Sequence, residues 1–434
     1  MTAHWAIGDQ HGLPFPADPA ALLAGGESFL TKAFRTFGVP DSGVARISAH
    51  REVAGGSTGR KVALSVEYER PRPGLHAELF VKFSRDFDDP VRDRGRTQME
   101  PEVRFATLSR VPGFPIAVPV ALFADYDRRT GSGILITERI PFGANGIERQ
   151  YHKCLDYDMP DAVGHYRALL TALARLAGSY GSGRLPGQLA AHFPLDVRAA
   201  TVGERTPPSA DKLGRRVGQL AAFVEAHPGL VPADVRSPEF LAGLRDDVPR
   251  VARHEHAIIR GLAADPDYVA LCHWNANIDN AWFWRDGDGV LRCGLLDWGC
   301  VGQMNMGMAI WGAMSGAETD LWTEHFGDLL DVFVAEVQGY GGPRLDPDRL
   351  RRHTLLYAAA MGVAWLLDVP ALIHKRFGTA APTSRKDPRI RDDEGVRAPL
   401  QMLSNLLSAW RRYRVGDLLD EALAERTGYE YLHL

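Results

Sequence analysis

Two asparagines and an aspartate stand out in the stretch Leu271–Gly299, LCHWNANIDNAWFWRDGDGVLRCGLLDWG. An apolar run leads into His273-Trp274-Asn275, and Asn280 follows five residues later. Ala281–Trp284 and Val290–Leu296 suit two strands turning at Asp286-Gly287-Asp288-Gly289, a hairpin signal. The second strand runs into Leu296-Asp297-Trp298-Gly299. Asn280 and Asp297 then stand at opposite ends of a hairpin, which is expected to bring them together. An Asn and an Asp converging on one point offer hard oxygen ligands suited to Mg²⁺, a cation that bridges phosphate oxygens.

Such a pair needs elements to hold it and a partner site for the phosphates. From Val44 to Ile140 the pattern suits strands. In Lys61–Glu69, Val62, Leu64, Val66 and Tyr68 alternate with Lys61, Ala63, Ser65, Glu67 and Glu69. A second strand is expected over His76–Phe83 and a third over Gly133–Arg139, with one helix over Glu100–Arg110 and a leading helix over Pro19–Phe37. The turn Val53–Lys61, VAGGSTGRK, is rich in glycine, and glycines let backbone N–H groups approach phosphates closely. After Pro141-Phe142-Gly143 the apolar spacing becomes helical, as in Asp161–Ser179, where Tyr166, Leu169, Leu170, Leu173 and Leu176 share a face. Further helices are expected over Asp211–Ala226, Pro238–Ala263, Asp320–Gln338, Pro347–Leu367 and Arg397–Arg412, and a surface loop or mobile flap over Thr379–Gly395.

Taken singly, each chemical feature has a plain alternative. A glycine-rich turn is usually a hairpin loop, a strand lysine a solvated edge residue, and an Asp before Trp-Gly a turn former. Their order along the chain is what discriminates. In that order they resemble the aminoglycoside phosphotransferase/choline kinase family, the small-molecule branch of the protein-kinase-like fold. That family carries a His-x-Asp-x-x-x-x-Asn loop followed by a strand ending in a metal-binding Asp. His273, Asn280 and Asp297 fall at matching positions, and Asn275 stands where the family has its catalytic Asp. The resemblance implies that Gly55, Gly56, Ser57, Thr58 and Gly59 lie over nucleotide phosphates and that Lys82 binds those phosphates. It makes Glu102 the partner that orients Lys82, Glu138 to Ile140 the hinge whose backbone holds adenine, and Asn280 and Asp297 the Mg²⁺ ligands. His273 holds the catalytic loop, while Lys82 and Asn275 act on the reacting groups.

The expected fold is α+β and bilobal. Residues 1–140 form a small antiparallel β lobe with one embedded helix, and residues 141–434 a larger, mainly helical lobe carrying the catalytic loop and metal hairpin. The expected function is ATP- and Mg²⁺-dependent phosphoryl transfer to a hydroxyl of a small molecule. The alternative is a degenerate kinase-like protein that binds nucleotide or partners without transferring phosphate; adenylyl transfer is a third possibility.

Asn275 cannot serve as a carboxylate base, although its amide oxygen can orient a hydroxyl. A general base is worth about 10²–10⁴-fold, whereas a loose phosphoryl-transfer transition state depends more on positioning and charge neutralisation. A second departure is the lack of any Asp between Gly299 and Ala317, where Asn305 is the structural substitute. Asp279 is an extra carboxylate: a displaced base, a third metal ligand or a loop cap. Trp274, Trp298, Trp311, Tyr357 and Trp365 are aromatic candidates for an acceptor pocket, though Tyr357 and Trp365 also suit a helix core. The basic stretch Ser384–Arg397 suggests a lid favouring an anionic acceptor.

The bulk composition excludes several classes. Lys plus Arg number 50 against 54 for Asp plus Glu, which lacks the basic excess of a dedicated nucleic-acid binder. The cysteines, Cys154, Cys272, Cys293 and Cys300, form no CxxC pair and are expected to be reduced thiols of a cytoplasmic protein. Met1–Pro16 does not resemble a signal peptide, and the most apolar run, Leu355–Leu367, is too short to span a bilayer. The sequence carries no signal for oligomeric state.

Overall fold

The computed structural model describes residues 3–56, 58–197 and 209–432. The chain divides into two compact units: one of residues Met1–Glu148, Leu185–Phe193 and Gly294–Val301, the other of Arg149–Arg184, Pro194–Cys293 and Gly302–Leu434. The segment that carries Asp297 therefore clusters with the N-terminal sheet.

In the first unit, a short hairpin of β1 (Trp5–Ile7) and β2 (Pro14–Pro16) precedes helix α1 (Pro19–Thr36). Asp18 caps α1 by accepting the Ala21 N–H at 2.7 Å. A five-stranded antiparallel sheet follows, formed by β3 (Val44–Glu52), β4 (Arg60–Tyr68), β5 (Glu78–Phe83), β6 (Ala121–Asp127) and β7 (Ser132–Glu138) in the order β3-β4-β5-β7-β6. The expected alternation in β4 holds: Val62, Leu64, Val66 and Tyr68 are buried. In β5, Leu79, Val81 and Phe83 join the same core, so Phe80 and Lys82 take the opposite face. Phe29, Leu30 and Phe34 of α1 complete that core. Helix α2 (Pro90–Asp93) is a single turn, and α3 (Met99–Leu108) follows it. Strand β6 escapes sequence patterning because both of its faces are buried, Asp125 included. The Asp125 carboxylate accepts the N–H groups of Gln10, His11 and Tyr126, which ties the β1–β2 connection to the sheet.

The second unit is mainly helical. Helix α4 (Ala162–Gly181) packs on the helix Phe326–Gly339 closely enough that a Cβ at Gly178 would lie 2.5 Å from the Val337 carbonyl. Trp311, Trp322 and Phe326 form an aromatic centre. Other helices span Ala210–Ala226, Pro238–Ala263, Met306–Met314, Pro347–Trp365, Val369–Phe377, Glu394–Tyr413 and Val415–Leu432. Strand β8 (Val269–His273) pairs with β11 (Val301–Asn305), and β9 (Ala281–Arg285) with β10 (Leu291–Leu295). The β9–β10 turn is closed by Asp286, whose backbone N–H donates to Val290 O and whose carboxylate accepts from Arg292. Thr379–Gly395 differs from the expected flap. It contains a helical turn, Pro388–Arg391, and is pinned by Arg385–Glu318 and Arg391–Asp158 ion pairs, each at 2.8 Å. Those arginines already face carboxylates, which removes the basis for an anion-favouring lid. Among the described residues no single helix is long and apolar enough to cross a membrane.

Candidate nucleotide and metal site

Lys82 is the centre of the first unit's polar chemistry. It sits on the non-core face of β5, and its ammonium donates to Glu102 Oε1, Glu102 Oε2 and Asp297 Oδ1, each at 2.8 Å. An ammonium has three N–H donors, and these three oxygens match them. Burial works against the Lys82 charge, but Glu102 and Asp297 outweigh it and hold its pKa above the ordinary lysine range. Glu102 lies in the first turn of α3 and is buried; burial pushes its carboxyl upward, Lys82 pulls it down and nearby Asp297 adds repulsion, leaving it raised. The Trp298 backbone N–H also donates to Glu102 Oε1, at 3.1 Å.

Asp297 is held by its neighbours in the chain. Leu295 N–H donates to Ala117 O at 3.1 Å, and Trp298 stacks on Phe105 of α3 with ring centroids 3.7 Å apart. The Trp298 indole N–H donates to Leu295 O. Between these anchors Asp297 adopts a left-handed conformation, φ 63°, ψ 62°. Asp and Asn are the non-glycine residues that tolerate this conformation best.

The glycine-rich turn joins β3 to β4 and is closed by the Val53 N–H donating to Lys61 O at 2.9 Å. Gly55, Gly56 and Gly59 all have positive φ, the conformation glycine permits. A Cβ at Gly56 would lie 1.9 Å from Lys61 Nζ, so the lysine occupies the space glycine leaves. Thr58 packs its methyl group against Gly95, and Ser57 lies outside the described residues. Arg92 donates from Nε to Gly59 O at 3.2 Å and pairs with Asp86. In the hinge, Glu138 uses its N–H on Val120 O, and its carboxylate takes the Val120 N–H and the His76 ring. Ile140 O accepts the Phe142 N–H. Among the described residues, the Ile140 N–H is the hinge donor without a backbone acceptor.

The second unit holds the His273–Asn280 loop. His273 closes β8 and is fully buried. Asn277 Nδ2 donates to Asn275 Oδ1 at 2.6 Å, and Asn280 Nδ2 donates to Asn275 O at 2.8 Å. That bond engages the Asn280 amide nitrogen within the loop. Asp279 is neither isolated nor a simple cap: its carboxylate lies 3.7 Å from Lys153 Nζ, and its carbonyl accepts from Gln150. The helix Met306–Met314 presses on the loop, since a Cβ at Gly312 would lie 1.8 Å from Trp274 O. Asn305 caps that helix through the Gly307 N–H and donates to Leu262 O and the His353 ring. Its bonds thus anchor the start of that helix to Leu262 and His353.

The structure therefore brings Lys82, Glu102 and Asp297 together in one unit, and Asn275, Asn277 and Asn280 in the other. Trp298 and Trp311 prove to be core residues, while Trp274 keeps a buried indole N–H with no acceptor among the described residues. Lys61, Asn277, Lys153 and Asp156 were not singled out from sequence. Asp156 is buried and accepts from Tyr166 and the Glu318 N–H; burial, with Glu318 nearby, raises its pKa to about 7. Pairing of Lys61 with Lys82 depends on strand register, and the burial of Asp156 on tertiary packing; neither leaves a local pattern.

No family model and no curated protein sequence matches the chain. Among solved structures it is similar to wild-type aminoglycoside 2'-phosphotransferase-IIIa in its GDP complex, with 14% identity, 88% of this chain and 98% of that chain covered, and a TM-score of 0.40. It is also similar to a microcompartment-associated aminopropanol kinase, at 13% identity, 85% and 93% coverage and a TM-score of 0.40. A choline/ethanolamine kinase family protein from Mesorhizobium loti matches at 14% identity, 82% and 92% coverage and a TM-score of 0.34.

Proposed function

We propose that the chain is an ATP-dependent phosphotransferase acting on a hydroxyl of a small molecule, located in the cytoplasm. The observation that carries this reading is the Lys82–Glu102–Asp297 cluster, three residues drawn from a strand, a helix and a post-strand turn with bonds of 2.8 Å. A buried lysine fixed between two carboxylates is costly as a purely structural device. It is suited to meeting nucleotide phosphates, with Glu102 orienting the ammonium and Asp297 offering a carboxylate oxygen to a metal ion.

Mg²⁺ fits the donor set. It takes few protein oxygens and draws the rest of its shell from phosphates and water. Asp297, in the first unit, would supply a carboxylate oxygen. A magnesium ion held by that carboxylate would supply neutralisation of the phosphate charge. The other roles belong to the chain itself. Lys82 holds the phosphates, the Gly55–Gly59 turn covers them, and the Ile140 N–H holds the base. Asn275 orients the acceptor hydroxyl through its amide without taking the proton, so an acceptor hydroxyl of low pKa is favoured.

A second reading has its own support. Asn275 Oδ1 is already engaged by Asn277, which suits a protein that binds nucleotide without transferring phosphate. Calorimetric titration of ATP with and without Mg²⁺, beside Asp297→Ala, tests the shared part of both readings. Magnesium-dependent binding lost in the variant is the expected result; no binding by the natural protein would overturn both. ADP release in the presence of hydroxylated acceptors then separates them.

A further inference from the structure

We propose that Lys61 is a second phosphate-contacting residue, reaching the nucleotide phosphates from the strand next to that of Lys82. The inference rests on the nucleotide-binding reading above. Lys61 and Lys82 are paired residues in the β4–β5 register, so their side chains leave the same face of the sheet side by side. Like charges at directly paired positions are unfavourable unless an anion lies near both. In this structure the carboxylates that balance them, Glu102 and Asp297, bond to Lys82.

The two ammoniums differ in what they hold. The three donors of Lys82 match three carboxylate oxygens. Among the described residues, Lys61 Nζ has one hydrogen-bond acceptor, the neutral Gly55 carbonyl at 3.1 Å. Lys61 lies directly beneath the glycine turn, where a Cβ at Gly56 would come within 1.9 Å of its Nζ. An anion entering beneath the turn meets a cation whose present acceptor is weak and exchangeable. Arg92 also grips the turn, but its guanidinium is engaged by Asp86 and Gly59 O. Lys61 is therefore the cation best able to change partners, leaving Gly55 O for a phosphate oxygen while Lys82 keeps Glu102.

The test is calorimetry of Mg-ATP and of adenosine with the full-length natural protein, Lys61→Met and Lys61→Arg. Loss of a charge-assisted hydrogen bond is expected to weaken Mg-ATP by about tenfold or more in Lys61→Met. Adenosine, which has no phosphate, is expected to bind that variant as it binds the natural protein, and Lys61→Arg to retain Mg-ATP binding. Unchanged Mg-ATP affinity in Lys61→Met would overturn the proposal. So would an equal loss of both ligands, which would show a role in shaping the turn alone. A natural protein that binds neither ligand would overturn the underlying nucleotide reading instead, a result distinct from the other two.

Discussion

The Lys82 cluster and the Asn275 loop solve opposite problems with opposite chemistry. Around Lys82, full charges meet: a buried ammonium, the buried Glu102 carboxylate, the half-exposed Asp297 carboxylate and a backbone N–H. Around Asn275, three neutral amides hold one another, and Asp279 of the same loop faces Lys153. Charged groups orient and neutralise phosphates, which accumulate negative charge. Neutral amides orient a hydroxyl but do not remove its proton. Under the proposed reading, the first region would handle phosphate charge and the second would position a hydroxyl without a strong base.

The comparison breaks most sharply at Asp297. Replacing it with Ala should abolish Mg²⁺-dependent ATP binding and lower any turnover by more than about 10³-fold, measured by calorimetry and ADP release. Retained magnesium dependence would remove Asp297 from the metal site. Next in size is the reverse experiment on the neutral loop. Asn275→Asp should raise turnover by about 10²-fold if only the base is missing, with nucleotide affinity unchanged. No gain with any acceptor would favour the non-transferring reading.

Asp156 sharpens the comparison through stability. Its folded pKa of about 7 exceeds the ordinary 3.8, so the folded protein keeps this proton after the unfolded chain has lost it. The associated stability is complete below about pH 4 and is lost as pH rises through 7. Urea unfolding of Asp156→Asn should lack that decline, and the difference from the natural protein should reach about 2–4 kcal/mol at pH 8. Parallel pH curves for the two proteins would show that Asp156 is ionised when folded. The smallest effect is expected from Glu102→Gln, which keeps the shape but removes one charge from Lys82. Mg-ATP affinity should fall about tenfold through the loss of one charge-assisted bond to the ammonium; an unchanged affinity would mean that Glu102 orients nothing.

Several elements were legible because their patterns are local. Alternation in β4 and the i, i+3, i+4 stripe of α4 identify each from a few residues. The helix Met306–Met314 was missed because all nine residues are buried, so it has no polar face to reveal a period. Strand β6 was missed because buried Asp125 interrupts an apolar run and is satisfied by backbone N–H groups from far away in sequence. Of the site, the order of Lys82, Glu102 and Asp297 along the chain was readable through the family resemblance, and their contact is now seen directly. The role of Lys61 was not readable, since it needs the cross-strand register that sets it beside Lys82.

The left-handed backbone of Asp297 bears on how such a protein decays under mutation. Glycine and asparagine tolerate that conformation at least as well as aspartate, and both lie a single-base change away from it. Either replacement would leave the turn, the Trp298 stack and the cap on Glu102 standing while deleting the carboxylate. The backbone would tolerate the loss, and the energetic cost would fall on the Lys82 ammonium, which would lose one of its three acceptors.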